Sequence, residues 1–158
     1  LSGEIQRCRR YGHPLSLAII EIKDHESLHS KEDDPGMKKI SQEIEANIRK
    51  TDFPYNINSN TLAVIFTETN LAESKSVCEI ILKRINIKMG QQGSNQTVLK
   101  VGIAALCKSD NELTLLDRAK NALSIAKSNE ESTVATLPQV KDIGKSPVAA
   151  ILSRSRSN

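Results

Sequence analysis

Apolar residues recur along this chain in two rhythms. Leu15 to Ile22 (LSLAIIEI) is a nearly unbroken apolar run of strand length, which suits a central strand covered on both faces. Leu62 to Phe66 (LAVIF) alternates, with Leu62, Val64 and Phe66 to one side and Ala63 and Ile65 to the other. With Tyr55-Asn56-Ile57 before the turn material Asn58-Ser59-Asn60, it predicts a hairpin. Val98 to Leu106 (VLKVGIAAL) reads as a further strand with a glycine inside it, and Thr133 to Thr136 as a short last one.

Between these runs the period changes to that of a helix. Met37, Ile40, Ile44 and Ile48 form one stripe after Asp34-Pro35, where Asp can cap the free amides and Pro fits the first turn. This helix is expected to end at Lys50, before Pro54. Asn70 to Asn86 predicts a second, capped by Asn70, with Val77, Ile80 and Ile81 inward. Asn111 to Lys127 predicts a third, burying Leu113, Leu116, Ala119, Leu123 and Ala126. Leu1 to Gly12 is a short entry helix with Arg7, Arg9 and Arg10 near its end, where cations suit the helix dipole. Strands alternating with helices, apart from one hairpin, predict an α/β sandwich: a mixed central sheet of about five strands flanked by helices.

Composition narrows the function classes. The 158 residues suffice for one domain with a core, and aromatics make up 3% with no Trp. Few rings argue against stacking platforms for single-stranded nucleic acid. The net charge of +3 is matched by Lys141, Lys145, Arg154 and Arg156 against Asp142. The body ahead of them is neutral, a poor nucleic-acid surface. The expected division is a domain over residues 1–136 and a basic Ser- and Arg-containing tail or linker over 137–158. Cys8, Cys78 and Cys107 are odd in number and far apart, which reads as reduced thiols of a cytoplasmic protein. No apolar run is long enough to span a membrane, and the start at Leu1 predicts a piece of a longer protein.

Two short motifs carry candidate chemistry. His25-Glu26-Ser27-Leu28-His29 has the HExxH form of a zinc protease. It lacks an apolar stripe to anchor a helix and a third ligand at an obvious spacing, so no metal site is assigned. Arg49-Lys50-Thr51-Asp52 places opposite charges at a helix end, just ahead of the hairpin. By composition alone it is a surface ion pair worth about 0–1 kcal/mol.

The order of landmarks resembles the GGDEF domain, the fold of bacterial diguanylate cyclases. Arg9-Arg10-Tyr11-Gly12-His13-Pro14-Leu15 with LAIIEI looks like that family's entry helix and first strand. LAVIF looks like the strand after its signature loop, and Leu71-Ala72-Glu73 like the start of the next helix. VGIAAL resembles its SIGVA strand, and Asp117-Arg118-Ala119 with Ala122-Leu123 and Ala126-Lys127 its final helix. The resemblance makes Arg49 and Asp52 the RxxD inhibitory site, which binds cyclic di-GMP. An arginine fork suits phosphate or the guanine O6/N7 edge, and a carboxylate accepts from guanine N1–H and the 2-amino group. Arg7 aligns with a second arginine that often comes from a neighbouring subunit; a solvated helix-end charge explains it equally. A further helper position of the family is Ile80 here, with Lys83 one turn away.

Other positions depart from the family. The signature loop reads Asn58-Ser59-Asn60-Thr61-Leu62, without its glycines and carboxylates. The metal-binding Asp aligns with Glu21 and a second with Lys23. The guanine contacts align with His29 and with Asp34, the latter better explained as a cap. Lys127 holds a phosphate-contacting position, and Glu131 replaces an arginine. The expectation is therefore a bacterial, non-catalytic cyclic di-GMP receptor, not an enzyme, with no cofactor or metal. It would act through a homodimer or an unknown protein effector, with no nucleic-acid partner. The alternatives are a ligand-independent dimerisation or interaction module, and a GTP-binding regulatory domain.

Overall fold

A computed structural model of the chain describes residues 1–23, 35–91, 97–130 and 133–137. The elements run α1 (Ser2–Tyr11), β1 (Leu15–Lys23), α2 (Pro35–Asn47), β2 (Phe53–Asn58), β3 (Thr61–Thr67), α3 (Leu71–Gln91), β4 (Val98–Ala105), α4 (Glu112–Lys127) and β5 (Thr133–Leu137). The five strands form one sheet in the order β2-β3-β1-β4-β5. Every pairing is antiparallel except β4 with β5. This is the mixed α/β sandwich that the alternation of patterns predicts.

β1 lies at the centre, and its first six residues are buried because helices cover both faces. On one face Ala18, Ile20, Leu62, Val64, Phe66 and Val101 meet α2 and α3 through Ile40, Ile44, Cys78 and Ile81. On the other, Leu17, Ile19, Ala63 and Ile65 meet α1 and α4 through Ile5, Cys8, Leu115 and Ala119. The split of Leu62, Val64 and Phe66 from Ala63 and Ile65 is the alternation read in the sequence.

Helix ends follow from local chemistry. α1 stops at Gly12, whose φ of 69° lets His13 N–H return to the Cys8 carbonyl at 3.0 Å. Asn70 and Glu73 cap α3 reciprocally, at 2.9 and 3.1 Å. Asn111 and Thr114 do the same for α4.

Several expectations are corrected. α2 ends at Asn47, so Arg49 to Asp52 forms the turn beyond the helix, closed by Asp52 N–H to the Arg49 carbonyl at 3.0 Å. α3 continues to Gln91. Ile80 and Leu113 are 49% and 70% exposed. The inward faces use Cys78, Ile81, Leu82 and Ile85 in α3, and Leu115, Ala119, Ala122, Leu123 and Ala126 in α4. His25 to His29, Asp34, Glu131 and most of the 137–158 segment lie outside the described residues. Among the described residues no helix is long and apolar enough to cross a membrane.

Candidate functional site

The Arg49–Asp52 turn leaves α2 and enters β2 beside the last residues of β3. Asp52 is 6% exposed, and both its oxygens are engaged. Oδ2 accepts from Arg49 N–H at 3.0 Å, and Oδ1 from Thr67 N–H at 3.1 Å. The Thr67 hydroxyl returns a bond to the Thr51 carbonyl at 2.9 Å. The carboxylate therefore fastens the turn to β3 by satisfying backbone donors that burial would otherwise leave unpaired.

Arg49 lies over this joint. Its Nη2 donates to the Thr67 carbonyl at 2.7 Å and to the Thr69 hydroxyl, and its Nε stands 3.6 Å from Asp52 Oδ2. The inner edge of the guanidinium is thus fixed while the side chain remains 58% exposed. A surface ion pair alone does not describe this arrangement, since one partner is buried and three backbone groups take part.

The turn borders a pocket of about 220 Å³ whose lining includes Arg49, Asp52, Glu68, Thr69, Glu73 and Val77. Glu68 sits just past β3 with a φ of 50° and pairs with His13 Nδ1 at 3.2 Å. Thr67, Glu68, Thr69 and Glu73 were missed in the sequence. Thr67 ends β3, Glu68 and Thr69 follow it, and none carries a periodic signal; only the Asn70–Glu73 cap was partly legible. Arg7 is exposed on α1 and is absent from this lining. The structure joins Arg49 to Asp52 within one protomer and does not bring Arg7 to them.

The hairpin occupies the other end of the sheet. Asn58 Oδ1 accepts from Asn60 N–H at 3.1 Å across its turn. The Asn60 carbonyl takes Ile22 N–H at 2.9 Å, so the turn is docked on the end of β1. There Glu21 faces Thr61 on β3 and Lys100 on β4. Lys127, from the end of α4, reaches Glu21 Oε2 at 2.5 Å. Glu21 and Lys127 are brought together as the resemblance implies, but in contact with each other.

A divalent metal needs several hard oxygen ligands. The described residues place one carboxylate here, already held by a lysine, and no cluster of three or more metal-ligating side chains forms among them. This donor set does not fit such an ion.

Comparison with known proteins agrees with the fold. The family model described as "Diguanylate cyclase, GGDEF domain" matches residues 1–133. The chain belongs to the GGDEF family. Diguanylate cyclase DosC of Escherichia coli (strain K12) is 24% identical over 131 residues, covering 78% of this chain and 28% of that protein. This chain therefore spans less than a third of the length of that curated relative.

The active GGEEF domain of a diguanylate cyclase from Vibrio cholerae superposes with a TM-score of 0.78 at 17% identity, covering 87% of this chain and 92% of that one. The GGDEF domain of DgcB from Caulobacter crescentus, in complex with c-di-GMP, gives 0.76 at 16% identity over 86% and 85%.

These matches overturn the expectation that the chain is not an enzyme, because its family and its curated relative are cyclases. The residue types of one loop and of single positions such as Glu21, Lys23, His29 and Glu131 were too narrow a ground for it. Asn60 keeps the hairpin docked on β1, and Glu21 and Lys127 still meet beside it.

Proposed function

We propose that this chain is a bacterial, cytoplasmic cyclic di-GMP-binding signalling domain that holds the dinucleotide at the Arg49–Asp52 turn. Binding would shift a homodimer or a contact with an effector protein, through different affinities for two states. The proposal concerns this turn and stands beside whatever chemistry the hairpin end carries. The free thiols of Cys8, Cys78 and Cys107 suit the reducing cytoplasm.

One observation supports the reading above others: Arg49 is fixed along its inner edge yet more than half exposed at a pocket mouth. A pre-held guanidinium loses less entropy when it grips phosphate or the guanine O6/N7 edge. The carboxylates of Glu68 and Glu73 border the same pocket and supply acceptors for guanine N1–H and the 2-amino group. Asp52 then acts by holding Arg49, its own side chain being almost fully enclosed. The pocket is smaller than the roughly 300–1,000 Å³ of typical small-molecule sites, so one base enters and the rest lies on the surface. Arg7 of a second chain would close over that outer part.

Calorimetric titration of cyclic di-GMP into the wild type and the Arg49→Ala and Arg7→Ala variants tests this. Micromolar or tighter binding, lost in Arg49→Ala and weakened in Arg7→Ala, is expected. Absence of binding to the folded wild type contradicts the reading.

A further inference from the structure

β2 lies at the edge of the sheet, and five of its six residues are exposed, unlike the buried strands beside it. Its register sets Phe53 opposite Ile65 and Tyr55 opposite Ala63. Both rings therefore stand on the face that α1 and α4 cover over β1, β3 and β4. Phe53 is 45% exposed, Tyr55 38%, and Ile57 further along the strand 43%. Leu113, 70% exposed at the start of α4, extends this apolar patch. The Tyr55 phenol is raised chiefly by burial and further by the Glu112 carboxylate, so this end of α4 lies beside the strand.

Pro54 restricts how the patch can be covered. Without an N–H it cannot complete a ladder with another strand, which blunts the edge of the sheet. A partner then comes onto the face. The chain carries one segment of matching chemistry: Val148-Ala149-Ala150-Ile151-Leu152 is the longest apolar run beyond β5, and Arg154 and Arg156 follow it. Glu112 and Asp117 are exposed on α4, the second of them one turn along from Leu113, and offer the opposite charge.

The run lies outside the described residues, but the length of its tether is fixed by the sequence. Leu137 shares one cross-strand row with Ala104, Leu17, Ile65 and Phe53. Four strand spacings of ~4.8 Å put it about 19 Å from Phe53. Residues 138–147 reach up to about 33 Å at ~3.3 Å per residue, enough to pass around the end of the sheet.

We propose that residues 148–152 dock on the β2 face of the same chain. The apolar run covers Phe53, Tyr55 and Leu113, and Arg154 and Arg156 lie toward Glu112 and Asp117. The tail is then a strap over the strand that the helices leave bare. No ligand is involved, so the proposal stands or falls separately from the cyclic di-GMP reading.

Limited trypsin digestion of the intact chain, followed by mass spectrometry, tests it. Cleavage after Lys145 and Arg154 is expected to be slow in the wild type. It is expected to quicken by about fivefold or more in Phe53→Ser and in Leu113→Ser, because cleavage follows how often the segment opens. Neither substitution alters the tail, so the protease meets the same sites. Hydrogen–deuterium exchange supplies the reciprocal measurement: the double variant Ile151→Ser, Leu152→Ser is expected to lose protection from Phe53 to Ile57. Circular dichroism confirms that each variant is folded.

The cleavage rate is expected to be independent of protein concentration. Protection that grows with concentration would assign the face to a second copy of the chain and overturn the proposal. Equal cleavage in the wild type and both body variants, or unchanged exchange over β2 in the double variant, overturns it as well.

Discussion

Asp52 shows how much one side chain can do for a turn. It receives the amides of Arg49 and Thr67 while almost fully enclosed. Asp52→Ala leaves both donors without that acceptor, at about 1–3 kcal/mol each if water does not replace it. Urea denaturation is expected to show a loss of roughly 2–6 kcal/mol, with cyclic di-GMP binding lost as well. Arg49→Ala is expected to lose binding while keeping most of the stability, because its side chain is more than half exposed. Equal stability losses in the two variants would contradict this division of roles. The RxxD string itself was legible in the sequence. The burial of Asp52 was not, because its partner Thr67 lies 15 residues further on and reaches it only through the strand pairing.

At the scale of elements, Gly102 decides how closely α4 can approach β4. A Cβ there would stand 2.1 Å from Leu123 N and 2.5 Å from the Ala119 carbonyl oxygen, both backbone atoms that cannot swing aside. Gly102→Ala is expected to push α4 off the sheet and cost at least about 3 kcal/mol, the upper end of ordinary overpacking. A melting temperature unchanged by this substitution would contradict the close approach. The glycine was visible as an interruption in VGIAAL, but its purpose depends on a helix that comes later in the chain. The strand runs were legible because their burial is nearly uniform. Ile80 and Leu113 were misplaced because α3 and the start of α4 carry apolar residues on outer faces too, so periodicity did not single out the buried stripe.

α2 and α3 are also joined through a titrating pair. The hydrogen bond from Lys88 holds the Glu43 carboxyl below its ordinary value, against the opposing effect of burial. The folded state thus binds this proton less readily than the unfolded chain. The contribution is present above the unfolded carboxyl's value and is lost as pH falls through the lower folded value. The stability gap between wild type and Glu43→Gln is expected to shrink in that acid range. A gap that stays constant into strong acid would contradict the pairing.

Across the whole molecule, two cores enclose two of the three thiols. Burial pushes Cys78 up to about 12 and raises Cys8, whereas Cys107 is only half-buried. A thiol reagent is expected to label Cys107 in the native protein, and Cys8 and Cys78 only on unfolding. The Cys78 shift contributes stability that is full below the unfolded value of about 9 and falls as pH rises toward 12.

The same two-sided core explains why the architecture could be read from residue patterns while the sites could not be read in full. Patterning selects faces, whereas the Arg49 turn and the Glu21 corner are assembled at opposite ends of β1 and β3 by pairing register.

The central claim is that cyclic di-GMP is held at the Arg49–Asp52 turn, and hydrogen–deuterium exchange with and without the dinucleotide tests its location directly. The account predicts added protection in the segments spanning Asn47 to Phe53 and Phe66 to Asn70, with the hairpin from Asn58 to Leu62 unchanged. Protection confined to the hairpin, or none at saturating ligand, would contradict it.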